Sequence, residues 1–437
     1  MKNIPDQKRK KRILIISGEA WRDESNGGNV LSNIFAPLTD EFEFAQIYTN
    51  PAMPNNSICE RYFHISESQL IRSFITRKSF GETINRETID ENKVENIQFS
   101  SRISFVKKYL PNIGIFGQNL IWKYSKWKSN ELKNFITDFN PDIIFAPMYY
   151  GLFLHRIDRY VVEITGKKII SYVSDDHLTY KHFSFSPIFW LNRFILRQNV
   201  IKTAKYYSLL YTMTKEQLEE YQPVLNVPMK ILTKSGNFDK EPEFKEKYVF
   251  PIKLIYAGNL IYNRYNTLAK LVKVIEKINQ DKIYFQLDIY TQTPITKELK
   301  EMLHDGRNSY LNGKISSEEL KEKYTKSDIL LHVESFDIKQ KLLTRISFST
   351  KIVDLLHSGR AVMAICWDQS SPYKYLSRED AAICISDLSD IESELLRIKN
   401  NPQLLREYAE KAWKCGDKNH NQIETTNMIK KDFLSLM

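Results

Sequence analysis

Residues 348–359 read FSTKIVDLLHSG and run straight into RAVMAI. Small polar residues precede an amphipathic run, Gly359 ends it and a buried-strand pattern follows, so the spacing predicts a helix feeding a strand. A helix opening near Ser349 and Thr350 aims unpaired backbone N–H groups and the positive end of its dipole at the carboxyl edge of the preceding strand, which is a seat for a diphosphate. Lys351 adds a cation. Asp354, about one helical turn further on, lies on nearly the same face and can accept hydrogen bonds from ribose hydroxyls. The same letters also suit a plain N-cap and a solvated carboxylate. A second segment, IYAGNLIYNRYNTL at 255–268, joins a strand to a helix through Gly258 and Asn259. Gly258 lets backbone approach an anion closely, and Arg264 at the helix opening would contact it; a plain turn with a solvated Arg is the alternative. Glu334 follows another strand pattern, and either a sugar contact or a structural role fits it.

Two further groups precede these in the chain. SYVSDDHLTY, residues 171–180, puts Asp175, Asp176 and His177 at the carboxyl end of a strand, where open α/β sheets bind ligands. Such a cluster also suggests a metal site, but no other His or carboxylate motif pairs with it, so no metal is expected. NGGNVLSNIFAPL, residues 26–38, places Gly27, Gly28 and Asn29 in a flexible turn entering a helix, a phosphate-type loop or an ordinary turn.

These groups need strands to hold them. Short β-branched or aromatic runs alternate with amphipathic stretches, the pattern of βα units around parallel sheets. Expected strands are 12–17, 42–48, 142–146, 168–173 and 206–212, then 253–257, 284–290, 309–311, 329–333, 361–365 and 381–383. A chain of 437 residues exceeds one ordinary core and suits two. In KSGNFDKEPEFKEKYVFP, residues 234–251, periodicity vanishes, which places the hinge. The expected division is 1–235, a linker at 236–250, 251–412, and a last helix at 413–437 with an apolar stripe. A preceding helix is expected to end at Trp413. With 42% hydrophobic and 27% charged residues the chain is globular. Cys59, Cys366, Cys384 and Cys415 are scattered, so neither a disulfide framework nor a zinc site is expected and a reducing cytosol fits. The opening residues lack the apolar core of a signal peptide, and no window suits a membrane span.

The pattern Ser349, Lys351, Asp354, Gly359, Val362, with HVESFD upstream at 332–337, resembles the nucleotide-sugar site of the retaining glycosyltransferases of family 4, in the type that builds bacterial polysaccharides. The resemblance covers the C-terminal half well and the N-terminal half loosely. It implies a GT-B fold: α/β, two Rossmann-like parallel-sheet domains facing a central cleft, with the C-terminal helix returning to the N-terminal domain. It also implies a UDP- or GDP-linked sugar donor, retention of configuration and no cofactor. By the same resemblance Gly258, Asn259, Arg264, Glu334, Ser349, Thr350, Lys351 and Asp354 bind the donor. NGKISSEELKEKYTKSD, residues 312–328, matches the family stretch whose backbone holds the base, which points to Lys314 and Ile315. Relatives carry His-Asp where this chain has Asp175, Asp176 and His177, so either Asp175 replaces that His or His177 supplies it one position later. The family's glycine-rich loop corresponds to Gly27, Gly28 and Asn29. The chain departs from the family in three places. Counting back from Asp354, the position of the sugar-holding glutamate is Ile346; the second acid is Asp354 rather than Glu; and Asn259 stands where Arg is usual.

The formal charge of +10 admits anionic partners without choosing among them. Aromatics interleave with basic residues at 101–128 and 187–198, which fits either an anionic membrane surface carrying a lipid-linked acceptor or helical core faces with Lys outside. No nucleic-acid module is visible. The resulting expectation is a cytoplasmic enzyme, at the inner face of the plasma membrane, moving sugar to a glycan or lipid-linked acceptor. A noncatalytic nucleotide-sugar-binding subunit of the same fold is the alternative.

Overall fold

The computed structural model describes residues 9–66, 69–70, 81–86 and 111–437. The chain divides into two compact units: residues 1–180, 184–232 and 426–437, and residues 181–183 and 233–425.

In unit 1 the elements run β1 (Lys11–Ile16), α1 (Asn26–Phe35), β2 (Phe42–Tyr48), β3 (Arg61–His64), β4 (Glu82–Asn85), α2 (Pro111–Tyr124), α3 (Asn130–Phe139), β5 (Ile143–Pro147), α4 (Leu152–Thr165), β6 (Ile169–Val173), α5 (Pro187–Ala204), β7 (Tyr207–Thr212), α6 (Lys215–Leu225) and β8 (Met229–Ile231). The strands form one sheet in the order β4-β3-β2-β1-β5-β6-β7-β8. All pairs are parallel except β3 with β4. The central strands are buried on both faces, which is why ILII and IIFA read as unbroken apolar runs and IISYV as one broken only by the buried Ser171. The order reverses between β1 and β5, so the loops after these strands diverge and leave a crevice at their carboxyl ends.

Unit 2 runs β9 (Ile252–Ala257), α7 (Arg264–Ile278), β10 (Phe285–Tyr290), α8 (Lys297–Leu303), β11 (Ser309–Asn312), α9 (Ser317–Lys326), β12 (Ile329–Val333), α10 (Ile338–Thr344), α11 (Lys351–His357), β13 (Ala361–Ile365), α12 (Ser371–Arg378), β14 (Ile383–Ile385), α13 (Ile391–Asn400) and α14 (Leu404–His420). Its all-parallel sheet has the order β11-β10-β9-β12-β13-β14, reversing between β9 and β12. The core packs Leu254, Tyr256, Leu268, Val272, Leu287 and Val333 around those central strands.

The helix expected to end at Trp413 continues to His420, because Ala412, Cys415 and Gly416 are buried and extend its packed stripe. Gly416 admits the ring of Phe238, which a Cβ would meet at 2.3 Å. The last helix, α15 (Gln422–Leu436), carries the chain from unit 2 back into unit 1. There Phe433 sits 5.9 Å from Phe35 and 6.1 Å from Phe145, while Asp432 accepts a 2.8 Å hydrogen bond from Tyr211 and pairs with Lys230. The return is thus held by an aromatic cluster and a buried carboxylate. Among the described residues no helix is long and apolar enough to cross a membrane.

Candidate functional site

The unit 2 residues with the clearest chemistry gather where its strand order reverses. β9 ends at Ala257, and the backbone then turns through Gly258, whose N–H donates to Tyr290 (3.0 Å). A Cβ on Gly258 would lie 2.7 Å from the Tyr256 hydroxyl and 3.3 Å from Lys351 Nζ, so the position requires the missing side chain for close packing. Tyr256 Oη donates to the Asn259 carbonyl (2.8 Å), and Lys351 Nζ donates to the Ala257 carbonyl (3.1 Å). Lys351 opens α11 and is solvent-exposed as a residue, yet its ammonium is drawn in over the end of β9.

Arg264 opens α7 behind two residues in left-handed backbone, Tyr262 (φ 60°) and Asn263 (φ 61°). Its guanidinium grips Glu334, just past β12, with Nε at 3.0 Å and Nη2 at 2.9 Å. Glu334 is itself fixed: its N–H donates to Ile365 (3.0 Å) and its carbonyl accepts from Thr267 (2.9 Å). Burial opposes the charge on Arg264, but Glu334 outweighs it and holds the guanidinium above its ordinary pKa. Burial, and then the charge of Arg264, hold the Lys351 ammonium below its ordinary pKa, with Asp354 opposing. Lys351 beside the glycine turn and Arg264 past the neighbouring strand end are cations whose mutual repulsion an anion bound there would relieve. His332, on β12, places Nε2 3.8 Å from Glu334, and burial pushes its imidazole down to about 4.

Other expected donor residues lie differently. The helix opens as expected near Ser349 and Thr350: Thr350 stands at the N-cap without a side-chain capping bond, Lys351 is the first helical residue, and the Ser349 carbonyl accepts the Ile352 N–H (3.0 Å). Asp354 is held by Lys234, whose Nζ reaches its two oxygens at 2.7 and 2.9 Å. Lys314 is exposed and Ile315 half-buried between β11 and α9, where the Gly313 carbonyl accepts from Thr291 (3.2 Å). Ile346 is buried, 1% exposed.

In unit 1, Asp175, Asp176 and His177 follow β6 but separate in role. Asp175 is exposed. Asp176 is buried and holds the turn: its Oδ1 accepts from Leu178 N–H (3.1 Å), Thr179 N–H (2.9 Å) and Arg193 Nη2 (2.7 Å), and the Thr179 hydroxyl donates to its other oxygen. Arg193 also donates to the carbonyls of Asp176 and Thr179, both at 2.7 Å. Tyr221 accepts the His177 N–H (2.8 Å), and the Tyr150 ring stands edge-on to the His177 ring at 4.1 Å. The result is a turn tied down by buried hydrogen bonds, with Asp175 exposed beside it.

Gly27, Gly28 and Asn29 were expected in a turn before a helix; instead they lie within the first turn of α1, which begins at Asn26. The Ser25 hydroxyl caps it by accepting the Gly28 N–H (3.0 Å). A Cβ on Gly28 would fall 2.0 Å from the Arg22 carbonyl oxygen, so the glycine lets the incoming loop cross the helix start. Tyr256, Lys234, Arg193 and Tyr150 escaped sequence reasoning. The signal for Tyr256 was its place beside Gly258 in IYAG; the others pair with residues distant in the chain. Among the described residues, no group of His, Cys, Asp or Glu is placed to hold a metal ion.

Two parallel-sheet α/β units in one chain, each with a reversal in strand order, define the GT-B fold class. Solved structures agree. The chain is similar to sucrose-phosphate synthase from Thermosynechococcus elongatus, with TM-score 0.62 and 12% identity over 98% of this chain and 99% of that one. It is also similar to Anabaena HepE in complex with UDP and glucose (0.59, 11%, covering 98% and 100%). A third is an S. aureus TarM variant in complex with fondaparinux, alpha-GlcNAc-glycerol and UDP (0.61, 11%, covering 98% and 99%). At such identities the likeness concerns the fold. No protein-family model matches the chain, and no curated protein matches it in sequence.

Proposed function

We propose that this chain is a glycosyltransferase that moves a sugar from a UDP- or GDP-linked donor to a glycan or lipid-linked acceptor in bacterial surface polysaccharide synthesis. The observation that carries the reading is the gathering of two cations at the strand reversal of unit 2: Lys351 Nζ lies against the Gly258 turn at the end of β9, and Arg264 is held by Glu334 just past β12. Breaking the sugar–phosphate bond places negative charge on the departing diphosphate, and two preorganised cations stabilise it without a metal or cofactor. Glu334 positions Arg264 by occupying its Nε and Nη2, which leaves the Nη1 edge for the diphosphate. The backbone at Lys314 and Ile315 holds the base, Ser349 and Thr350 approach the phosphates, and Asp354 accepts the ribose hydroxyls once Lys234 yields an oxygen. To unit 1 we assign the acceptor side: Asp175 and His177 toward the transferred sugar, Asp176 as the positioning group, and the start of α1 at Gly27, Gly28 and Asn29. Retention of configuration follows from the resemblance to family 4, and HepE and TarM, of the same fold, are seen with UDP. The enzyme works in the cytoplasm at the inner face of the membrane.

Ile346 favours a second reading. An apolar, buried residue stands where the family holds the donor sugar, as in a binding subunit that kept nucleotide affinity and lost turnover. Incubation with a panel of UDP- and GDP-sugars, following free nucleoside diphosphate, separates the two. The transferase reading predicts release from one donor, stimulated by acceptor. Tight donor binding with no release from any donor supports the subunit instead.

A further inference from the structure

The net charge of +10 is unevenly distributed along the chain. Residues 101–130 and 177–215 each hold six Lys or Arg and no Asp or Glu, leaving 51 basic against 53 acidic residues elsewhere. Residues 101–110 lie outside the described residues, but the remainder of the two stretches supplies helices α2 and α5, which pack on one another. Both are anchored from within. Trp122 of α2 stacks on Phe153 of α4 at 4.4 Å, and Arg193, Leu196 and Val200 bury the inner side of α5.

Their outer sides are apolar. On α2, Phe116, Leu120 and Tyr124 recur at helical spacing and are 42%, 42% and 62% exposed; on α5, Ile188, Leu191 and Phe194 are 39%, 49% and 51% exposed. Lys123, Lys126, Lys202 and Lys205, all exposed, close the carboxyl ends of both helices. Large apolar side chains on adjacent helices mark an interaction surface. A second copy of this chain would set these lysines against their own kind, a like-charge juxtaposition that costs affinity. A nucleic acid would satisfy the lysines but leave Leu120, Ile188 and Leu191 without bases to stack on or hydrogen-bond. A bilayer with anionic headgroups satisfies both: aliphatic and aromatic groups enter the acyl boundary while lysines meet phosphates.

We propose that α2 and α5 form a docking face for an anionic lipid bilayer. This rests on the reading of a membrane-side transferase and specifies its contact, but lipid binding is measurable without any donor. The full chain is sedimented with vesicles of phosphatidylcholine alone and of phosphatidylcholine mixed with phosphatidylglycerol. Binding to the mixed vesicles, weakening with salt, is expected. Lys202→Glu with Lys205→Glu should lower partitioning at least about tenfold, and so should Leu191→Glu with Phe194→Glu. Thermal midpoints and UDP affinity should stay at wild-type values, and the lysine pair serves should the apolar pair not fold. Equal binding to neutral vesicles, wild-type partitioning of both variants, or an oligomer that the apolar pair dissociates would each overturn the proposal. Vesicle binding without any nucleotide binding would instead remove the transferase reading and leave this one standing.

Discussion

Asp176 and Asp175 are neighbours in sequence with different physical lives. Asp176 is buried against Arg193, so Asp176→Ala leaves a buried guanidinium without its counter-ion and should cost about 3 to 5 kcal/mol, read as a lowered urea midpoint. Asp175→Ala, at an exposed position, should leave the unfolding free energy within about 0.5 kcal/mol of wild type while lowering donor turnover. Equal destabilisation by both would contradict the division of roles. The same logic applies to Glu334. Glu334→Gln keeps the shape but removes the partner that holds Arg264, so nucleotide affinity should fall severalfold and Arg264→Ala should then add little in a double-mutant cycle. Additive losses would show that the two act separately. These pairings could not be read from the chain: Arg264 and Glu334 lie 70 residues apart, and Lys234 and Asp354 lie 120 apart. Each residue alone looks like an ordinary solvated charge.

At the level of elements, the central strands were legible because burial on both faces demands short, mostly apolar runs, as in ILLHV and AVMAI, or in IKLIYA, where only Lys253 is exposed. The edges were not. β3, β4 and β8 are three or four residues long, and β4 buries only Ile84, so no periodicity announces them. β14, expected at 381–383, forms at Ile383–Ile385, where the buried Ile383 and Ile385 pair with β13. The most instructive difference is α1. NGG reads as a turn by composition, yet the Ser25 cap and the closeness of the Arg22 carbonyl draw both glycines into the helix. Gly28→Ala should therefore destabilise the protein by roughly 1 to 3 kcal/mol even though alanine is the better helix former. An unchanged or raised melting temperature would show that the loop before α1 yields freely.

The whole molecule should weaken in mild acid for a reason visible in unit 2. Burial pushes His332 down to about 4, and His420, between Thr233 and Tyr375, likewise to about 4. Both are neutral in the folded chain, whereas the unfolded chain binds their protons near the ordinary value of about 6.5. The unfolded state thus holds more protons between those values, and stability falls as pH drops through that window. By pH 5 the loss should be on the order of 2 kcal/mol for each histidine, measured by urea unfolding, and His332→Gln should remove part of the slope. A flat profile from pH 7 to pH 5 would speak against both buried imidazoles. Calorimetric titration of UDP and GDP into wild type and Lys351→Ala tests the anion locus at the strand reversal of unit 2 directly. We expect one nucleotide to bind the wild type and to bind the variant about tenfold to a hundredfold more weakly, the loss of one charge-assisted contact. Equal affinity in the two proteins, or no binding of either nucleotide to the wild type, would contradict it.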